Sequence, residues 1–157
     1  AIQQARLLQG PDGSVFETFQ CMPIDPQRPV PPALVEQRLR DVLSKEDLAS
    51  IRPPRRTQPR HLQHFRIRPQ VAFGDAANGR RTLMSLVCTD RPGLLAEVAQ
   101  TLRAQGLRVH DARIATFGER AEDVFQLSDE RDLPLDESRQ QSLRDALLAS
   151  NTGESPS

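Results

Sequence analysis

Tryptophan and tyrosine are absent from this sequence, and its aromatic side chains are six phenylalanines. A surface that holds nucleic acid by stacking bases on rings is therefore not expected. Lysine is nearly absent too: Lys45 is the only one, and the rest of the positive charge is arginine, which reads as genomic base composition rather than function. Basic and acidic side chains number 21 each, so the whole chain is not expected to be steered towards nucleic acid or an acidic membrane. The two cysteines, Cys21 and Cys88, lie in apolar runs without a short spacing, which suggests neither a zinc site nor a disulfide framework. No signal-like segment is present, and no apolar run approaches the roughly 18 residues of a membrane helix. A cytoplasmic setting follows as the expectation.

What the sequence does contain is a repeat. Ala5-Arg6-Leu7 returns as Ala112-Arg113-Ile114, Phe19-Gln20 as Phe125-Gln126, and Leu39-Arg40-Asp41-Val42-Leu43 as Leu143-Arg144-Asp145-Ala146-Leu147. Three matched blocks in one order make coincidence a poor explanation. Each copy reads as strand, turn, strand, helix. The first copy places strands at 2–8 and 14–21 around the turn Gly10-Pro11-Asp12-Gly13; the second places them at 109–116 and 121–127 around Gly118-Glu119. Val35, Leu39, Val42 and Leu43 then share one helical face, as do Leu143, Ala146 and Leu147. Pro31 and Pro32 mark the first helix start, where a missing N–H costs nothing.

Ahead of the second copy stand an apolar strand, 81–89, and a helix expected from Pro92 to Gln105. Leu94, Leu95, Val98 and Leu102 form its buried stripe and Gly106 ends it. Nothing comparable precedes the first copy, as expected of a piece of a longer protein. Residues 52–63 are rich in proline and arginine and read as a linker. Phe65, Ile67, Val71 and Phe73 suggest a further strand over 64–73, interrupted by Pro69 as an edge strand can be. The loop 74–79 would fold that strand antiparallel onto 81–89 and supply a fourth strand. The expected organisation is a partial unit over 1–51, a linker over 52–63, an essentially complete unit over 64–150 and a polar, disordered tail over 151–157.

Strand, helix, strand, strand, helix plus a fourth strand is the α+β, ferredoxin-like βαββαβ plan. With Asp90-Arg91-Pro92-Gly93-Leu94-Leu95 between first strand and first helix, the chain resembles the ACT family of small-molecule-sensing domains. Three stretches carry the likeness further: Pro59-Arg60-His61-Leu62-Gln63-His64-Phe65, the helix start DRPGLLAEVA, and HDARIATFGERAEDVF at 110–125. Together they resemble the carboxy-terminal tandem ACT region of bifunctional PII uridylyltransferase/uridylyl-removing enzymes. The resemblance implies a glutamine-responsive regulatory region that is not itself catalytic. It also implies nucleotidyltransferase and hydrolase domains elsewhere in the parent enzyme, with magnesium belonging to those domains and no cofactor here. The implied partners are glutamine or another free amino acid, other ACT units of the same protein and, through the parent enzyme, PII; neither nucleic acid nor membrane is among them. Two alternatives remain: an ACT-type dimerisation or interaction module without a ligand, and the regulatory domain of an amino-acid biosynthetic enzyme.

A free amino acid presents a carboxylate and an ammonium. The first N–H groups of a helix after Pro92, those of Gly93, Leu94 and Leu95, would suit the carboxylate. Gly93 lets backbone approach a ligand closely. Asp90 is placed either to take the ammonium or simply to cap the helix, and Arg91 and Pro92 complete the loop's expected ligand-binding set. ACT sites form where this loop faces the second strand of another unit; the matching strand carries His110 and Asp111, read either as ligand contacts or as exposed strand residues. His61 and His64 have a His-x-x-His spacing but no nearby cysteine or placed carboxylate, which makes a poor metal site. Glu119, Glu122 and Asp123 flank a hairpin and are expected to stay solvated.

Overall fold

The computed structural model describes residues 2–23, 25, 27–44, 67–77 and 79–152. Its elements are β1 (Ile2–Gln9), β2 (Val15–Cys21), α1 (Pro32–Leu43), β3 (Gln70–Asp75), β4 (Thr82–Thr89), α2 (Leu94–Ala104), β5 (Arg108–Phe117), β6 (Arg120–Ser128) and α3 (Glu137–Thr152). The linker stretch 52–63, with His61, and the neighbouring His64 lie outside the described residues.

All six strands join one antiparallel sheet in the order β2-β1-β5-β6-β4-β3. The last four strands with α2 and α3 form the α+β, ferredoxin-like arrangement that the sequence implied. β3 pairs with β4 from Gln70↔Val87 to Asp75↔Thr82, so the fourth strand arrives from the amino-terminal side. It begins at Gln70, later than the expected 64–73, because Pro69 has no N–H to give a ladder. Just before it, the Ile67 N–H donates to the Thr89 hydroxyl at 2.8 Å instead.

Helix α2 begins two residues later than Pro92. Gly93 is its N-cap with φ 88°, a left-handed conformation that suits glycine. At the other end Gly106, φ 69°, reverses the chain, and the Leu107 N–H bonds to the Leu102 carbonyl at 3.0 Å. Helix α3 is capped by Asp136, whose carboxylate accepts the Arg139 N–H at 2.8 Å. It continues through Thr152, two residues into the stretch expected to be tail.

Strict alternation along β4 buries Thr82, Met84, Leu86 and Cys88 on one face. Phe125 and Leu127 of β6 lie beside them in the sheet, and Leu94, Val98 and Leu102 of α2 with Leu143 and Leu147 of α3 complete the core. Arg144 ties α3 to the outer strand, its guanidinium 5.2 Å from the centre of the Phe73 ring.

The two copies of the repeat take the same elements but different burial. Leu143 and Leu147 are fully buried, whereas Leu39 and Leu43, their counterparts on α1, are 56% and 64% exposed. Phe125 is 3% exposed and its counterpart Phe19 is 52% exposed. One sequence pattern thus makes a core in the second copy and bare apolar faces in the first. The second copy has β4 and α2 to pack against. No helix of the described residues is long and apolar enough to cross a membrane.

Candidate functional site: the turn entering helix α2

The turn between β4 and α2 is anchored at both ends by main chain. The Asp90 N–H donates to the Glu119 carbonyl in the β5–β6 hairpin at 2.8 Å, and the Leu94 N–H donates to the Arg91 carbonyl at 3.1 Å. Leu94 is therefore not one of the outward donors expected there. Glu97 closes the first helical bond, its N–H on the Gly93 carbonyl at 3.0 Å. The N-cap Gly93 offers no side-chain cap, and the further donors at the positive end of the helix are those of Leu95 and Ala96.

Arg91 has a structural duty in this turn. Its guanidinium forks onto the Glu97 carboxylate, with one contact at 2.7 Å, and reaches the Ser150 carbonyl of α3 at 3.3 Å. That ion pair raises the Arg91 pKa further. Pro92 is exposed and precedes the cap rather than opening the helix. Asp90 stands three residues before the N-cap; its carboxyl is partly buried, and that burial pushes its pKa upward.

The structure buries one residue that the sequence suggests is solvated. Asp123 is 1% exposed, between Leu86 of β4 and Ile114 of β5, on the sheet face that α2 covers. Its Oδ1 has no hydrogen-bond partner. Burial pushes its carboxyl up to about 7; a backbone hydrogen bond from Ala115 opposes this and the charge of Asp90 adds to it. Nearby, burial, reinforced by Asp123, pushes the Cys88 thiol up to about 12. The signal for Asp123 was its register: Ala121, Asp123, Phe125 and Leu127 alternate onto one face. Glu122, one step along, faces the other way and pairs with Arg120.

His110 and Asp111 are at the opposite end of the sheet from this turn. Thr89 and Phe117 both pair with Arg120, whereas Val109 and Thr82 both pair with Leu127. The His110 Nε2 lies 2.8 Å from the Ser128 hydroxyl and 3.5 Å from the Asp132 carboxylate. Burial first, then the Arg81 charge, lowers its pKa. Asp111 stands opposite Leu8 and Gln126.

What does share the turn's end of the sheet is the start of β1. Gln4 pairs with Ala115, and the Thr116 hydroxyl reaches the Ile2 carbonyl at 3.5 Å. Through the repeat, residues 2–4 are the counterparts of 109–111. The turn of one unit and the second-strand segment of the other therefore occupy the same end of one continuous sheet.

This ferredoxin-like sheet with a glycine-capped helix after its first strand is that of an ACT domain, and residues 82–145 match the ACT domain family. The chain is an ACT-domain region matching the C-terminal part of bifunctional uridylyltransferase/uridylyl-removing enzymes. It is 55% identical over 148 residues to the bifunctional uridylyltransferase/uridylyl-removing enzyme of Xanthomonas axonopodis pv. citri (strain 306), covering 94% of this chain and 17% of that protein. The same-named proteins of Xanthomonas campestris pv. campestris (strain B100) and Aliivibrio fischeri (strain MJ11) are 54% and 38% identical, over 148 and 152 residues, with the same coverage. The chain thus spans 17% of the length of these curated relatives. No solved structure gives a significant match.

Proposed function

We propose that this ACT region is the glutamine sensor of a PII uridylyltransferase/uridylyl-removing enzyme, acting in the cytoplasm on catalytic domains outside the chain. The observation that carries the reading is the uncapped amino terminus of α2, where Gly93 leaves main-chain donors available to an anion. In this reading the carboxylate of the amino acid takes the N–H groups of Leu95 and Ala96, and Asp90 takes its ammonium. The residues at 2–4 supply backbone groups for the side-chain amide. His110 and Asp111 play the corresponding part for the loop of the first unit. That unit consists of β1, β2 and α1 together with a strand and helix from elsewhere in the longer protein. Glutamine then biases contacts between the units, and a coupling of about 1–3 kcal/mol suffices to shift two distant activities.

Calorimetry on a polypeptide extended to hold both complete units tests this. Glutamine at millimolar concentration should give a saturable heat that is lost in Gly93→Val, with the sheet retained by circular dichroism. Absence of heat in the unsubstituted protein refutes the sensor reading.

A second reading has the units pair for assembly and bind no small molecule; the bare apolar faces of β2 and α1 favour it. Gly93→Val separates the two. Loss of response with assembly intact supports sensing, and loss of assembly alone supports the scaffold.

A further inference from the structure

Arg6 and Arg113 stand directly opposite each other in the β1–β5 ladder. They are also the equivalent residues of the two repeats, because Ala5-Arg6-Leu7 matches Ala112-Arg113-Ile114. Their neighbours pair accordingly, Ala5 with Ile114 and Leu7 with Ala112. The local two-fold relation between the copies therefore passes between two guanidinium side chains. Like charges directly opposite on a sheet repel, with Cβ atoms only about 5 Å apart. Both arginines are exposed, and among the described residues no carboxylate forms an ion pair with either. Ala5 and Ile114 belong to the core, so alternation puts Arg6 and Arg113 on the sheet face away from the helices.

A hollow of about 470 Å³ lies at this seam, with Gln4, Arg6, Thr18, Gln20, Arg113 and Ala115 in its lining beside the apolar Ala5, Phe19 and Ile114. Thr18 is the cross-strand partner of Arg6, Gln20 of Gln4, and Gln4 of Ala115. Two guanidiniums, a hydroxyl and two carboxamides converge there, and no carboxylate lines it. Guanidinium forks match the paired oxygens of phosphate, and a bound dianion would neutralise the repulsion between them. We propose that this hollow is a second ligand site that takes a phosphate group, free or as a phosphomonoester. It lies away from the turn at Gly93, shares Gln4 with the residues proposed for glutamine, and stands whether or not that turn senses glutamine.

The 157-residue chain can be titrated with inorganic phosphate, a nucleoside monophosphate and the bare nucleoside at fixed ionic strength, following backbone amide shifts. Phosphate should move the amides of Ala5, Arg6, Arg113 and Ile114 with a Kd of about 1 mM or tighter. Arg6→Gln and Arg113→Gln should each weaken binding at least about tenfold, with the amide spectrum of the sheet otherwise retained. Tighter binding of the monophosphate than of both phosphate and nucleoside would identify a nucleotide as the source; equal binding of monophosphate and phosphate would identify the phosphate group alone. No shift at these residues, or equal shifts in the glutamine variants, overturns the proposal.

Discussion

Gly93 carries φ 88° at the cap of α2, where a side chain on Cβ meets the carbonyl that follows. Gly93→Ala should destabilise the chain by about 1 kcal/mol through that strain alone, read as a lower urea midpoint with an unchanged slope. Asp123 makes a prediction of opposite character. Its folded pKa, about 7, lies above the ordinary 3.8, so the native state holds a proton that the unfolded state has released between those values. The stability this confers is fully present below about pH 4 and is lost progressively as pH rises to about 7, by a few kcal/mol of the order the shift implies. Urea unfolding at about pH 5 and about pH 8 should show the loss, and Asp123→Asn should flatten it. An equal loss in the asparagine variant would place the titration elsewhere.

At the scale of elements, the repeat offers an internal control. Leu143 on α3 and Leu39 on α1 occupy the same place in matched sequences, yet one is fully buried and the other 56% exposed. Leu143→Ala should therefore cost about 2–5 kcal/mol, and Leu39→Ala no more than about 0.5 kcal/mol. Denaturant melts of the two variants check this difference. Both hairpins were legible in the sequence because Gly10–Gly13 and Gly118-Glu119 separate runs of period two. The fourth strand is legible from the loop after Phe73, although its start is not, because a proline at position 69 fits an interruption within an edge strand as well as a boundary. Helix α2 begins two residues later than its proline suggests for a similar reason: a proline normally opens a helix, and here Gly93 turns the chain once more first. Asp123 is hidden in the sequence because its neighbours Glu119 and Glu122 are acidic, and a cluster of charge at a hairpin suggests solvent more strongly than alternation suggests burial. The bare faces of the first copy lay beyond sequence reasoning, since periodicity shows which side of an element is apolar and not what covers it.

At the scale of the molecule, β1 and β5 run as direct neighbours, so the two copies share one sheet instead of meeting through loops. That continuity puts the turn at Asp90–Gly93 and the first residues of β1 at one end, which is the geometry the sensor reading needs. If the turn senses glutamine as proposed, the β6–β5 and β5–β1 ladders are the main-chain connection between it and the other copy. The proposal stands or falls on which amides glutamine touches. Backbone amide shifts of the polypeptide holding both units, followed through a glutamine titration, should move first and furthest at Leu95 and Ala96, with smaller changes at residues 2–4. Shifts confined to other parts of the sheet, or none while the protein remains folded, would contradict it.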